Sequence, residues 1–211
     1  VAALDHGARA VIIAADTDEA ITLAQSLDRR DVLLAGERHG IAIPGFQLGN
    51  SPREMLADTV RGKTLVMTTT NGTRTIAMAQ GAKRMVIGAF LNLTALSDWL
   101  VRQDGNVLLL CAGWKGKFNL EDSTFAGAVM DRLLESGKFG LEEDSSIAAQ
   151  YLYHAARDNF MSILKAAPRR RRIEQLQMLP DVKFCLTADT STVIPMLKDG
   201  VLVPMKYEPV A

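Results

Sequence analysis

A chain of 211 residues with 48% hydrophobic side chains can bury a sizeable core and is too apolar to be mostly disordered. Its 24 Lys+Arg cancel its 24 Asp+Glu, which removes the electrostatic case for nucleic-acid or membrane-surface binding. The longest apolar runs, such as Val107–Ala112, are strand-sized rather than membrane-spanning, no secretory signal is evident, and two cysteines, Cys111 and Cys185, make no disulfide framework, so a cytoplasmic location is expected.

In chain order the pattern alternates helix and strand. A short helix ends at Gly7, a residue type suited to the C-cap. Ala10–Ala15 reads as a buried strand, and Thr17–Leu27 as an amphipathic helix with Ala20, Leu23, Ala24 and Leu27 on one face. A strand over Asp31–Ala35 leads into Gly36-Glu-Arg-His-Gly40 and then Phe46-Gln-Leu-Gly-Asn50-Ser51. The strand Leu65–Met67 runs into a polar loop, Thr68–Thr73, which opens a helix near Arg74 that ends at Gly81. Met85–Phe90 reads as a strand, Asn92–Val101 as a helix with Leu93, Leu96, Leu100 and Val101 inward, and Asn106–Cys111 as a further strand. After a glycine-bearing loop, Ser123–Leu134 reads as a helix capped by Asp122. A helix over Asp144–Leu164 with Ser145 or Ser146 as cap follows, then Pro168–Pro180 with the run Arg169–Arg172. Thr192–Met196 and Gly200–Met205 read as a hairpin around Lys198-Asp-Gly200.

Much of this order occurs twice. Val1–Ala15 (VAALDHGARAVIIAA) aligns with Thr75–Ala89 (TIAMAQGAKRMVIGA), Val32–Leu34 with Val107–Leu109, and Phe46-x-Leu-x-Asn50-Ser51 with Phe118-x-Leu-x-Asp122-Ser123, at offsets between 72 and 75 positions. The expected fold is therefore three-layer α/β/α with largely parallel sheets and a duplicated strand–helix unit. Its divisions are 1–60, a first repeat; 61–140, a second; and 141–211, C-terminal helices and a short hairpin. The second repeat is preceded by a strand and loop, Lys63–Thr73, and the first has no counterpart, so a strand and loop before Val1 are expected.

Three places could carry chemistry, and two others have plainer readings. Thr68-Thr-Thr-Asn-Gly-Thr73 lies at the carboxyl end of a parallel strand, where α/β folds bind ligands; its N–H groups and the hydroxyls of Thr69, Thr70 and Thr73 suit an anion, although a ligand-free helix cap explains the same residues. In Gly36–Gly40, Glu37 could take a proton or a metal and Arg38 could fork onto phosphate or sulfonate; an exposed charged turn is the plainer alternative. Glu121 and Asp122 are hard oxygen donors suited to Mg²⁺, set against the uncharged Gly49 and Asn50 of the first repeat. Cys111 lacks an arginine six residues on and reads as a small buried residue; Arg169–Arg172 reads as a solvated face.

The segments Gly36-Glu-Arg-x-Gly40, Pro44-Gly-Phe-x-Leu-Gly-Asn-Ser-Pro52, Gly62-Lys-Thr-Leu-Val-x-Thr-Thr-Thr-Asn-Gly-Thr73, Cys111-Ala-Gly113, Phe118-x-Leu-Glu-Asp122 and Ala126-Gly127 together resemble the 2-phosphosulfolactate phosphatase family of the coenzyme M pathway. The resemblance runs over nearly the whole chain and implies a Mg²⁺-dependent phosphatase that forms sulfolactate and phosphate. The family begins with a strand ending in an Asp-x-x-Arg-Ala-Thr/Ser-Thr/Ser loop, which this sequence lacks. Over Pro168–Asp181 the family has a Gly-Arg element, where this chain has four arginines and Pro180. The roles expected from residues and resemblance together are metal binding by Glu121 and Asp122 and catalysis by Glu37, Arg38 and Asp122. Substrate or phosphate binding falls to Arg38, Asn50, Ser51, Thr69, Thr70, Asn71, Gly72, Thr73 and Gly113. The partner expected is a small phosphorylated anion, and a homo-oligomer is left open. The competing readings are a phosphatase for another small phosphorylated acid and a non-catalytic small-anion-binding protein.

Overall fold

The computed structural model describes residues 1–79, 81–161, 174 and 177–208, so Arg169–Arg172 lies outside the described residues. The chain packs as two compact units, Val1–Gly88 with Val193–Lys206, and Ala89–Thr192 with Tyr207–Ala211. Among the described residues no helix is long and apolar enough to cross a membrane.

The first unit contains α1 (Ala2–Asp5), β1 (Ala10–Ile13), α2 (Thr17–Gln25), β2 (Val32–Arg38), β3 (Ile41–Ala42), α3 (Ala57–Val60), β4 (Thr64–Thr68), α4 (Gly72–Met78), β5 (Val193–Lys198) and β6 (Val201–Lys206). Its six-stranded sheet has the order β3-β2-β4-β1-β6-β5. The centre is parallel: β4 runs between β1 and β2, with Val11 and Leu33 both in register with Leu65. The flanks are antiparallel, β3 on β2 and the β5–β6 hairpin on β1. The fold is thus mixed α/β, and the expected parallel pairing holds at its core.

Alternation along the strands sets the packing. Val11, Ala35 and Leu65 join one apolar cluster with Leu4, Val60 and Leu202, while Ile12, Leu34 and Val66 join another with Ala20 and Ala24 of α2. Asp16 fixes the start of α2 by accepting from the Glu19 N–H at 2.9 Å, and Glu19 Oε2 reaches back to the Ala15 N–H at 2.6 Å. The helix ends at Gln25, so Leu27 lies beyond it and is 36% exposed instead of joining the buried face. Gly7 directly follows the C-cap of α1 with φ of +92°, the left-handed step expected of a glycine closing a helix, and Gly81, two residues beyond the α4 C-cap Ala79, has φ of +104°. The C-terminal hairpin turns on Asp199 and Gly200, both at positive φ, a type I′ geometry that matches strand twist.

Two expected strands do not form. Met85–Phe90 makes only a single antiparallel bridge, Val86 to Met196, with the Ile87 N–H donating to Pro195 O and the Leu197 N–H to Met85 O, both at 2.9 Å along β5. Among the described residues Asn106–Cys111 joins no ladder, and Leu108 is 86% exposed. An apolar run becomes a strand only when a neighbour pairs with it along a ladder; among the described residues Met85–Phe90 pairs with β5 at one bridge, and Asn106–Cys111 has no such pairing.

The second unit contains α5 (Leu93–Val101), α6 (Leu120–Glu135), α7 (Asp144–Ala156) and α8 (Leu179–Cys185). Leu93, Leu96 and Leu100 of α5 are buried as expected. Phe90 meets Phe125 edge-on at 5.4 Å and Phe160 at 4.5 Å between ring centroids. The first turn of α5 is fixed from afar by Asp189, which accepts from the Thr94 N–H at 2.6 Å and the Thr94 hydroxyl at 2.7 Å. Of the helix expected over Asp144–Leu164, α7 forms Asp144–Ala156 and residues 157–160 leave the helix, while residues 162–164 lie outside the described residues; its N-cap is Glu143, with Ser145 and Ser146 inside the helix.

Between α6 and α7, Asp131 Oδ1 accepts from Gln150 Nε2 at 3.1 Å and contacts His154 Nε2 at 2.7 Å. Burial works to raise the Asp131 carboxyl, but the hydrogen bonds from His154 and Gln150, aided by the charges of His154 and Arg157, outweigh it and hold the group below its ordinary value. A depressed native pKa adds stability that is fully present above the unfolded value of about 4 and disappears as pH falls through the native value. Denaturant titrations should therefore show wild type more stable than Asp131→Asn at pH 6, with the gap narrowing below about pH 4. A gap independent of pH would remove the carboxylate charge from the link.

Candidate functional site

In the first unit the carboxyl ends of β2 and β4 lie side by side, with Gly36 in register with Thr68. A Cβ on Gly36 would stand 2.4 Å from Thr68 O, so only glycine permits this approach. Beyond Gly36, β2 and β3 form a hairpin whose turn is His39–Gly40, with φ of +58° and +82°. The Gly36–Gly40 segment expected to be either a ligand loop or an exposed turn is thus a tight hairpin end, and its charges point in different directions.

Glu37 turns inward and is only 6% exposed. Its Oε1 accepts from the Thr70 N–H at 2.7 Å, and its Oε2 accepts from the Gly40 N–H at 2.7 Å and the Thr70 hydroxyl at 3.1 Å. Arg38 lies half-buried on the same strand end, Nη2 donating to the Thr68 hydroxyl at 3.0 Å and Nη1 to Glu37 O at 2.9 Å. A guanidinium carries five N–H donors; the two bonds described leave Nε–H and one hydrogen on each Nη able to meet an anion.

The Thr68–Thr73 loop is held from within as well. Thr69 Oγ1 accepts from the Thr73 N–H at 3.3 Å, and the Thr73 hydroxyl donates to Thr69 O at 3.0 Å. Thr69 thereby satisfies one N–H of the first turn of α4, whose N-cap position is Asn71, and Asn71 and Gly72 form the apex where the chain enters that helix. Ser51 caps the 3-10 turn Pro52–Glu54 by accepting from the Arg53 N–H, and Asn50 beside it is exposed.

In the second unit, Asn119 rather than Asp122 caps α6: its Oδ1 accepts from the Glu121 N–H at 3.1 Å. Asp122 sits in the first turn and faces back toward the preceding loop. Its Oδ2 accepts from the Gly113 N–H at 2.6 Å and its Oδ1 from Asn119 Nδ2 at 2.9 Å, so one carboxylate ties both ends of the segment Gly113–Asn119. Within that segment Trp114 and Lys117 exchange hydrogen bonds at 3.0 Å across a turn at Lys115–Gly116. Gly113 has φ +69°, and a Cβ there would lie 2.7 Å from Lys117 O. The Asn-x-x-Asp spacing of 119–122, an N-cap residue followed three positions later by an acid, was the sequence signal for this arrangement.

Cys111 is exposed and not buried as expected, because the strand that would have packed it does not form. Desolvation around the sulfur, then the neighbouring Asp122 carboxylate, push its thiol up, against nucleophilic use; a hydrogen bond with Ser123 opposes them. Cys185 of α8 is pushed up to about 11 by desolvation, then by the Asp181 and Glu121 carboxylates. Among the described residues no group of three or more His, Cys, Asp or Glu could enclose a metal ion. Glu121 and Asp122 lie on one helical turn as hard oxygen donors, of the kind taken by a cation that binds one or two carboxylates and keeps its waters, and each Asp122 oxygen also accepts a hydrogen bond, from Asn119 or Gly113.

This chain carries the sequence profile of the phosphatases that release phosphate from a monoester: the profile described as 2-phosphosulpholactate phosphatase matches residues 1–200. The chain belongs to the 2-phosphosulfolactate phosphatase family. A relative in Caldanaerobacter subterraneus, named "probable 2-phosphosulfolactate phosphatase", is 38% identical over 200 residues, covering 95% of this chain and 83% of the relative. Relatives of the same name in Synechocystis and Clostridium tetani are 36% and 33% identical, covering 95% and 96% of this chain and 84% and 85% of their own lengths.

Proposed function

We propose that the chain hydrolyses 2-phosphosulfolactate to sulfolactate and phosphate, in a coenzyme M-type pathway, with Mg²⁺ as cofactor and on a three-layer α/β/α fold. The family match over residues 1–200 is the observation that carries the substrate and the reaction. In the reaction a water oxygen bonds to phosphorus, the bond from phosphorus to the ester oxygen breaks, and the sulfolactate alkoxide gains a proton.

Arg38 and the Thr69–Thr73 loop bind the phosphate or sulfonate in this reading. Arg38 is aimed by its bond to Thr68 Oγ1 and keeps donors for an anion. The loop offers N–H groups near Asn71 and Gly72 from a backbone already fixed by Thr69 and Thr70, so little reorganises as charge develops. Asn50 and Ser51 are placed with the substrate by the resemblance of their motif. In the second unit Gly113 is held beside Asp122, and Glu121 and Asp122 would hold Mg²⁺. A Mg²⁺ held by these two carboxylates would supply Lewis-acid charge that favours phosphoryl transfer.

Phosphate release from 2-phosphosulfolactate should stop on adding EDTA and return with excess Mg²⁺. Turnover that survives chelation would remove the metal from the proposal. Faster turnover of a phosphoglycolate-type compound would transfer the activity to another small phosphorylated acid, and phosphate binding with no turnover on either would make the chain an anion-binding protein.

A further inference from the structure

We propose that Glu37 is a positioning residue that fixes the anion-binding loop through Thr70, and not the proton acceptor or a metal ligand. The inference rests on the reading of Thr69–Thr73 as the phosphate-binding loop. Glu37 is nearly fully buried, and both of its oxygens are met by donors: Thr70 N–H on one, Gly40 N–H and the Thr70 hydroxyl on the other. The Thr70 hydroxyl in turn accepts from the His39 N–H at 3.3 Å. The β2–β3 turn and the loop after β4 are thereby one hydrogen-bonded piece, with the carboxylate at its centre.

Three consequences follow from this geometry. Three donors, two backbone N–H groups and a hydroxyl, already occupy both oxygens of this buried side chain, and taking up a proton or a cation there would disrupt those bonds. Thr70 spends its N–H and its hydroxyl on Glu37, so it shapes the loop and leaves contact with the anion to the Asn71–Gly72 apex and to Arg38. Arg38 is coupled as well, because its Nη1 rests on the Glu37 carbonyl.

The test is a double-mutant cycle of Glu37→Gln and Thr70→Val in the protein that shows turnover, with Thr70→Ser as the conservative variant. A glutamine offers one acceptor where the carboxylate offers two, so one donor is stranded; valine removes the hydroxyl and keeps the N–H. Each substitution should raise KM, and the inhibition constant of inorganic phosphate, about tenfold, with the acid limb of the pH–rate profile and the Mg²⁺ concentration for half-activation unmoved. The double variant should lose little more than either single one, and Thr70→Ser should recover most of what Thr70→Val loses. A kcat collapse in Glu37→Gln with loss of the acid limb would make Glu37 the base, and a raised Mg²⁺ requirement would make it a ligand; either overturns the proposal, as would additive effects in the cycle. If Glu37→Gln fails to fold, the Thr70 pair decides alone: Thr70→Val with wild-type KM refutes the coupling. Wild-type protein that inorganic phosphate does not inhibit, or whose inhibition Asn71→Ala and Gly72→Ala leave intact, refutes the phosphate-loop reading itself and is seen before any Glu37 variant is made.

Discussion

Asp122→Asn is expected to lower kcat/KM for 2-phosphosulfolactate on the order of a hundredfold, because it removes charge and geometry together. The carboxylate accepts from the Gly113 N–H at 2.6 Å and from Asn119 Nδ2 at 2.9 Å. An asparagine has one acceptor and one NH₂ group; whichever way it is turned, one former donor faces another donor. The loop Gly113–Asn119 then loses one of its two ties, at a cost of about 1–3 kcal/mol, and an oxygen suited to Mg²⁺ is lost. Asp122→Glu separates the two effects, keeping the charge while displacing it by one methylene. Steady-state kinetics on variants shown to be folded by circular dichroism decide the matter: full turnover by folded Asp122→Asn would exclude Asp122 from the chemistry.

The largest effect on stability is expected at Gly127, inside α6. By helix propensity alone Gly127→Ala should stabilise by about 1 kcal/mol. Packing opposes this more strongly. An added Cβ would stand 2.0 Å from Ala149 O and 2.9 Å from Tyr153 Cβ on α7, and backbone cannot swing aside as a flexible side chain can. Ala126, Ala128 and Val129 around it and Ala149 opposite are buried, so the helices must separate along a packed face. Overpacking of this kind costs about 1–3 kcal/mol or more, and a net destabilisation of about 2 kcal/mol is expected by chemical denaturation. A variant as stable as wild type would mean that α6 and α7 do not pack this closely.

The contrast between these two residues explains what could be read in advance. The left-handed glycines Gly7 and Gly81 beyond helix ends, the hairpin around Asp199–Gly200 and the inward face of α5 were legible, because each follows from local backbone or periodicity requirements. Met85–Phe90 and Asn106–Cys111 were misjudged, since an apolar run states only that burial is favourable and not that a ladder partner exists. Gly127 was visible as part of a motif, but its reason lies on a helix more than twenty residues away. The end of α7 at Ala156 was overlooked although Asp158 and Asn159, poor helix formers, follow it.

For the site, the residue types and their order singled out the Thr68–Thr73 loop, Arg38 and the Glu121–Asp122 pair as candidates, while the reaction class came with the family resemblance, and the family match agrees with it. What they could not say is which way each group faces. Glu37 and Arg38 are neighbours in sequence, but alternation on a strand sends one carboxylate inward to Thr70 and leaves the guanidinium with donors to spare. Asp122, expected to cap its helix, turns back to close a loop because Asn119 already fills the cap. Sequence thus determined the chemical inventory and the local turns, which depend on near neighbours along the chain. Tertiary structure decided partnership, because hydrogen bonds and excluded volume act between atoms that folding alone brings together.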